Sequence, residues 1–260
     1  MVKILAVTNQ KGGVGKTTTS VNLAASLAAT GHKVLLIDMD PQANATMGCG
    51  IDKRELQRTV YQVLLGSAAI GEVRRTSESG GFDLIPANRD LAGAEVELVD
   101  LPNRETRLKQ ALRDVQDNYG FILIDCPPAL NLLTLNALCA AHAVMIPMQC
   151  EYYALEGLSD LVSTIKKVRT NLNPVLQIEG LLRTMFDARN VLAQQVSEQL
   201  KQHFGDKVYD TIIPRNIRLA EAPSHGVPAI SYDSTSKGAQ AYVALAGEIL
   251  NRAGVEPAAA

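Results

Sequence analysis

The 260-residue sequence has no tryptophan, and aromatic residues make up only 4% of it. An excess of either charge is also missing: 25 Lys and Arg face 27 Asp and Glu, a formal net charge of −2. With a pI near 6.1, this excludes a protein that coats nucleic acid through bulk basic charge, so any such role needs a local patch. Apolar runs such as Val34–Ile37 and Phe121–Ile124 are far too short to cross a bilayer. The first apolar segment breaks at Thr8-Asn9-Gln10, too early for a signal h-region, and a cytoplasmic location is the expectation. Cys49, Cys126, Cys139 and Cys150 form no Cys-x-x-Cys pair. They read as reduced, buried thiols rather than disulfides or a zinc site. An iron–sulfur ligand shared between two subunits is the alternative. No repeat or low-complexity linker divides the chain, so residues 1–260 read as one domain, with 256–260 as a flexible tail.

What is present is an alternation of short β-branched apolar runs with longer helical stretches. Strands are predicted at Lys3–Asn9, Lys33–Asp38, Phe82–Pro86, Phe121–Asp125, Ala143–Gln149, Ile178–Phe186 and Lys207–Ile212. Helices are predicted at Lys16–Ala29, Arg104–Asp117, Asn131–Ala140, Leu155–Asn171, Val191–His203 and Ser236–Arg252. Strands that are apolar throughout, separated by helices, imply a mostly parallel sheet covered on both faces. The fold class is therefore α/β, a doubly wound three-layer sandwich. Gly48–Arg58 and Ser77–Gly81 are polar and read as surface excursions.

Lys11-Gly12-Gly13-Val14-Gly15-Lys16-Thr17-Thr18 follows a predicted strand and opens a predicted helix. That context identifies a phosphate-binding loop. Glycines let backbone N–H groups turn inward on phosphate oxygens, and the helix N-terminus adds partial positive charge. Lys16 is suited to bridge the β- and γ-phosphates, the Thr17 hydroxyl to ligate Mg²⁺, and Thr18 to reach the α-phosphate. Asp38 and Asp40 follow the second strand, and Asp125 ends the run Phe121–Ile124. A strand-end Asp is either a helix cap or a site residue. Several beside a phosphate loop favour the site, with Asp125 holding Mg²⁺ through a water and Asp38 holding the loop or the magnesium waters.

Lysine at position 11 and glutamine at position 10, where a glycine is usual, make this a deviant Walker A loop. The chain here resembles the ParA/MinD group of P-loop ATPases. The resemblance implies that Lys11 reaches across a dimer interface to the partner's nucleotide and that Asp40 positions the attacking water. It implies that Glu151 approaches nucleotide near that interface, although Glu151 could equally cap the following helix. It implies that Pro214 and Asn216 form an adenine pocket, where a simple turn is the alternative. It also points to Arg189 and Arg218 as contacts to DNA phosphates, among the basic residues Arg183, Arg215, Lys166, Lys167 and Arg169. His225 has no partner at a catalytic spacing and reads as a loop residue.

Three branches share the deviant loop. The end of the chain has one arginine and two glutamates after Val243, unlike a basic membrane-targeting helix. The cysteines do not match a cluster-binding reductase. A strand beginning at Lys3 leaves no room for an N-terminal DNA-binding module. The resemblance is therefore to the short, Soj-like ParA branch, and it runs from Lys11 to Gly238. It implies a cytoplasmic, nucleoid-associated ATPase using ATP and Mg²⁺. ATP would drive a homodimer that binds double-stranded DNA without sequence preference, and a ParB-type centromere-binding partner would stimulate hydrolysis. The alternatives are a membrane-associated, MinD-like spatial regulator and a P-loop kinase acting on a small molecule.

Overall fold

The computed structural model describes residues 2–254, so the tail expected at 256–260 lies outside the described residues. Eight strands form one sheet: β1 (Lys3–Val7), β2 (Val34–Asp38), β3 (Arg75–Ser77), β4 (Phe82–Ile85), β5 (Phe121–Asp125), β6 (Ala143–Met148), β7 (Gln177–Phe186) and β8 (Val208–Pro214). Their spatial order is β3-β4-β2-β5-β1-β6-β7-β8. Only β3 with β4 is antiparallel.

Side chains alternate between the two faces of each strand. Ile4 and Ala6 of β1 join Leu35, Ile37, Ile122 and Ile124 in one buried cluster. Leu5 and Val7 join Val34, Leu36 and Leu123 in a second. The helices Lys16–Ala29 and Lys237–Ala253 cover the second face through Leu23, Leu27, Tyr242, Leu245 and Ile249. The helices Val60–Leu65, Leu91–Glu97, Arg107–Leu112, Leu132–Ala140, Ala154–Asn171 and Val191–Phe204 cover the first. This is the expected three-layer arrangement. Each large aliphatic side chain buried this way contributes about 1.5–3 kcal/mol.

Pro147 sits inside β6 because its missing N–H falls beyond the end of β1. β1 pairs with β6 only as far as Met145, and the Asn9 side chain then donates to the Pro147 carbonyl at 2.8 Å.

The structure departs from the sequence reading mainly between residues 39 and 118. Ser77, read as surface, ends β3 and is fully buried, with its hydroxyl 3.4 Å from the Cys49 carbonyl. Gly48 and Cys49 are also buried. Gly50 (φ +81°) lies so close to Gly226 that an added Cβ would come within 2.9 Å of the Gly226 carbonyl. Short helices at Asn44–Gly48, Val60–Leu65, Ile70–Val73 and Leu91–Glu97 were not anticipated. One had a legible signal. Thr59 and Gln62 form a capping box, in which the Thr59 N–H donates to the Gln62 side chain at 2.8 Å. The helix expected over Arg104–Asp117 is confined to Arg107–Leu112. Asn103 is left-handed (φ +56°), and the Arg104 carbonyl accepts from Asn136 instead of a helical N–H.

Candidate nucleotide-binding site

β1, β2 and β5 are neighbours, and their register sets Val7, Asp38 and Asp125 level at the carboxyl edge of the sheet. Ligands of such sheets bind at this edge. The loop leaving β1 turns at Gly13 (φ +73°) and Gly15 (φ +86°), both in the left-handed region that glycine enters without a steric cost. Gly12 and Val14 complete it, with Val14 buried. The Thr184 hydroxyl on β7 donates to the Val14 carbonyl at 2.7 Å and pins the loop to the other half of the sheet. The helix Lys16–Ala29 starts directly after Gly15 with no side-chain cap, which leaves its first amides for an anion.

Lys16 is buried, and its ammonium donates to the Lys11 carbonyl at 2.9 Å. Burial pulls its pKa down, and the nearby Asp125 carboxylate is the largest opposing influence. The Thr17 hydroxyl donates to Asp125 Oδ2 at 2.8 Å, and the Ser20 hydroxyl donates to Asp125 Oδ1 at 2.8 Å. Thr18 lies further along the same turn and lines a neighbouring cavity.

Asp38 and Asp125 are both fully buried. Burial pushes both carboxyls above the usual carboxylate range. The charge of Asp38 adds to the effect on Asp125, while hydrogen bonds from Thr46 and Asp40 work against it on Asp38. Asp40 is 9% exposed, and its Oδ1 accepts the Gln42 N–H at 2.9 Å. No group of three His, Cys, Asp or Glu side chains forms a metal cage among the described residues. The oxygen donors of Thr17 and Asp125 are of the kind that would hold a magnesium ion, which would supply positive charge beside the phosphates. The two buried carboxylates beside a single lysine favour such a cation electrostatically.

Glu151 does not cap the following helix, whose N-cap is Tyr153. Its carboxylate pairs with the Lys11 ammonium at 2.5 Å, and both side chains are about half exposed. Pro214 and Asn216 line a cavity of about 340 Å³ together with Gly15, Thr18, Ile213 and Tyr242. Asn216 uses Oδ1 to cap the helix Ile217–Glu221, accepting the Leu219 N–H at 3.3 Å. The segment forms a helix cap whose residue also lines this cavity.

The basic residues separate into different environments. Arg189 is 90% exposed and paired with Asp187 at 2.8 Å, and it lines an open cavity of about 650 Å³ with Arg215 and Lys237. Arg218 contacts Glu221 at 2.8 Å and Asp233 at 3.3 Å and is not part of that cavity. Arg183 is no surface cation. It is buried and donates to the Ser197 hydroxyl and to the Tyr209 and Asp210 carbonyls. The four cysteines are free and buried, with thiols held in the neutral form by burial, as the first sequence reading has it. His225 stacks on Tyr232 with ring centroids 4.9 Å apart, a loop role.

Four site-forming residues escaped the sequence reading: Ser20, Thr46, Thr184 and Tyr242. Ser20 had a signal, because it lies three residues after Thr17 and so shares its helix face. Tyr242, 3.1 Å from the Thr19 hydroxyl, and Thr184 reach the loop only through the fold.

Fold and site together define a P-loop nucleoside triphosphatase. Residues 2–178 match a family of AAA domains. The chain is 57% identical over 249 residues to the sporulation initiation inhibitor protein Soj of Bacillus subtilis, covering 96% of this chain and 98% of that protein. It is 51% identical over 253 residues to the chromosome partitioning protein ParA of Caulobacter vibrioides, covering 96% and 95%. A solved structure of a Mycobacterium smegmatis protein described as cobyrinic acid a,c-diamide synthase, with ADP and magnesium bound, superposes with a TM-score of 0.87 at 38% identity, covering 98% of this chain and 96% of that one. The chain belongs to the Soj/ParA family of chromosome-partitioning ATPases.

Lys16→Ala removes the one ammonium buried in the loop among the residues lining it. ATP binding measured by calorimetry is expected to fall below detection, and an unchanged affinity would remove the loop assignment.

Proposed function

We propose that this chain binds Mg-ATP at the loop, dimerises on it, holds DNA without sequence preference in that state, and releases DNA when hydrolysis is stimulated by a ParB-type centromere-binding partner. The observation that carries the nucleotide part is the convergence of Thr17 and Ser20 on Asp125, beside the buried Lys16. In this reading the loop amides, Lys16 and Thr18 bind the phosphates of ATP. Magnesium, held by Thr17 and by Asp125 through a water, would supply charge neutralisation for the phosphates. Pro214 and Asn216 take the adenine, and Asp40 orients the attacking water.

Lys11 acts in trans in this account. Its half-exposed ammonium at the rim of the loop is compatible with reaching a second subunit, and Glu151 stands next to it at the same rim. A cation delivered by the partner makes dimerisation depend on the triphosphate and stabilises charge in the transition state. Arg189 and Arg218 contact DNA phosphates. Each is paired with one or two carboxylates on the surface, so the pull of one subunit on DNA is weak. Two subunits joined by ATP double it.

The membrane reading is less well supported. No helix among the described residues is long and apolar enough to cross a membrane. The C-terminal helix Lys237–Ala253 spends most of its apolar face, including Tyr242, Leu245 and Ile249, on the sheet, and Val243 is its one large apolar side chain left exposed. A cytoplasmic, nucleoid-associated protein is the corresponding location.

Asp40→Ala is expected to bind ATP and to dimerise by light scattering, yet to hydrolyse ATP at least about 100-fold more slowly. Wild-type turnover would refute Asp40 as the water-positioning group. Arg189→Glu and Arg218→Glu are each expected to lose gel-shift of non-specific DNA while keeping ATP-dependent dimers. Retained DNA binding would sink the arginine contacts.

A further inference from the structure

Asp38 ends β2 with its carboxylate wholly buried. Oδ1 accepts the Asp40 N–H at 3.1 Å. Oδ2 accepts both the Thr46 N–H at 2.9 Å and the Thr46 hydroxyl at 2.7 Å. The same hydroxyl oxygen accepts the Ala87 N–H at 2.9 Å. Thr46 and Ala87 are themselves fully buried. One hydroxyl therefore ties the segment after β2 to the segment after β4, and it does so through the carboxylate that holds the backbone of Asp40.

The turn between these anchors has further restraints: the Met39 N–H donates to the Asp125 carbonyl at 2.9 Å, the Lys53 ammonium donates to the Gln42 carbonyl at 2.5 Å, and Met39 and Ala43 are buried in the core. The Asp40 carbonyl accepts the Ala43 N–H at 2.8 Å, and Asp40 Oδ1 accepts the Gln42 N–H. Ala43 is left-handed (φ +54°), a conformation that a non-glycine residue keeps only when its surroundings enforce it. Removing the Thr46 hydroxyl leaves Asp38 Oδ2 with one donor in place of two and strips the Ala87 N–H of its side-chain acceptor inside the core. A buried polar group left short of partners is costly, and because the Asp40 N–H bonds directly to the same carboxylate, a shift of Asp38 is passed to the backbone of Asp40.

We infer that Thr46 is a positioning residue for ATP hydrolysis: acting through Asp38, it fixes the turn that presents Asp40 to the nucleotide. The inference rests on Asp40 being the water-positioning group. A threonine suits the place because its hydroxyl donates to a carboxylate and accepts an amide at once, and its methyl fills the core.

The test uses the full chain with Thr46→Val, Thr46→Ser, Asp40→Ala and the Thr46→Val/Asp40→Ala double variant. Single-turnover hydrolysis, affinity for a non-hydrolysable ATP analogue and Tm are measured on each. Thr46→Val is expected to slow hydrolysis on the order of 100-fold, the usual cost of a small misplacement of a catalytic group, with analogue affinity kept within about threefold of the wild-type value. Thr46→Ser is expected to restore hydrolysis, and the double variant to be no slower than Asp40→Ala alone. Should Thr46→Val not fold, Thr46→Cys keeps the volume with a weak donor and is expected to hydrolyse at an intermediate rate. Wild-type hydrolysis in Thr46→Val or Thr46→Cys overturns the inference, as does a serine variant as slow as the valine one. A loss of analogue affinity that matches the loss of rate also overturns it, because that marks a structural role alone. Fast hydrolysis by Asp40→Ala would instead bring down the reading of Asp40 itself.

Discussion

Two carboxylates buried level with one another at the ends of β2 and β5 are the constraint on which this end of the molecule depends. Each is costly to keep charged away from water, and each makes the other more so. The surrounding sequence answers that cost locally. Asp38 receives donors from Thr46 and Asp40, Asp125 receives the Thr17 and Ser20 hydroxyls, and Lys16 supplies the nearby positive charge. Donors of this kind recover part of the desolvation cost without cancelling the repulsion. In the proposed function, a divalent cation beside Asp125 would offset part of what remains, and nucleotide and metal together would relieve the repulsion between these charges.

The parts legible in the sequence are those fixed by neighbours along the chain. Gly13 and Gly15 before Lys16-Thr17 declare the loop because a strand-to-helix turn around phosphate needs those backbone angles. Asp125 is legible because it ends an apolar run, and the central strands β1, β2, β5 and β6 are legible because burial on both faces makes them almost continuously apolar. The missed strand β3 spans Arg75–Ser77 and has two exposed residues, so no apolar run marks it. Thr46 and Thr184 were invisible for a different reason. Their partners, Asp38 with Ala87 and Val14, lie across the fold, and nothing at either residue's own position differs from an ordinary helix or strand threonine. Arg183 misled because an arginine in sequence carries no sign that its guanidinium will be buried under Ser197 and two carbonyls.

The net charge of −2 takes on a different meaning once the arginines are placed. As a composition it argues against a DNA-coating protein. In the proposed cycle it becomes useful, because a near-neutral subunit with ion-paired arginines holds DNA poorly alone. The Arg189–Asp187 and Arg218–Glu221 pairs hold back charge that a phosphate backbone must compete for. Doubling a weak surface by nucleotide-driven pairing then switches binding far more sharply than strengthening either arginine would.

The central claim is that buried charge at Asp125 is kept for the ligand at the expense of the fold. The direct measurement compares wild type with Asp125→Asn, taking Tm without nucleotide and nucleotide affinity with magnesium present and with magnesium chelated. The account predicts that Asp125→Asn raises Tm in the absence of ligand, while losing most of the tightening that magnesium gives to nucleotide binding in the wild type. A lower Tm together with an intact magnesium effect would contradict it.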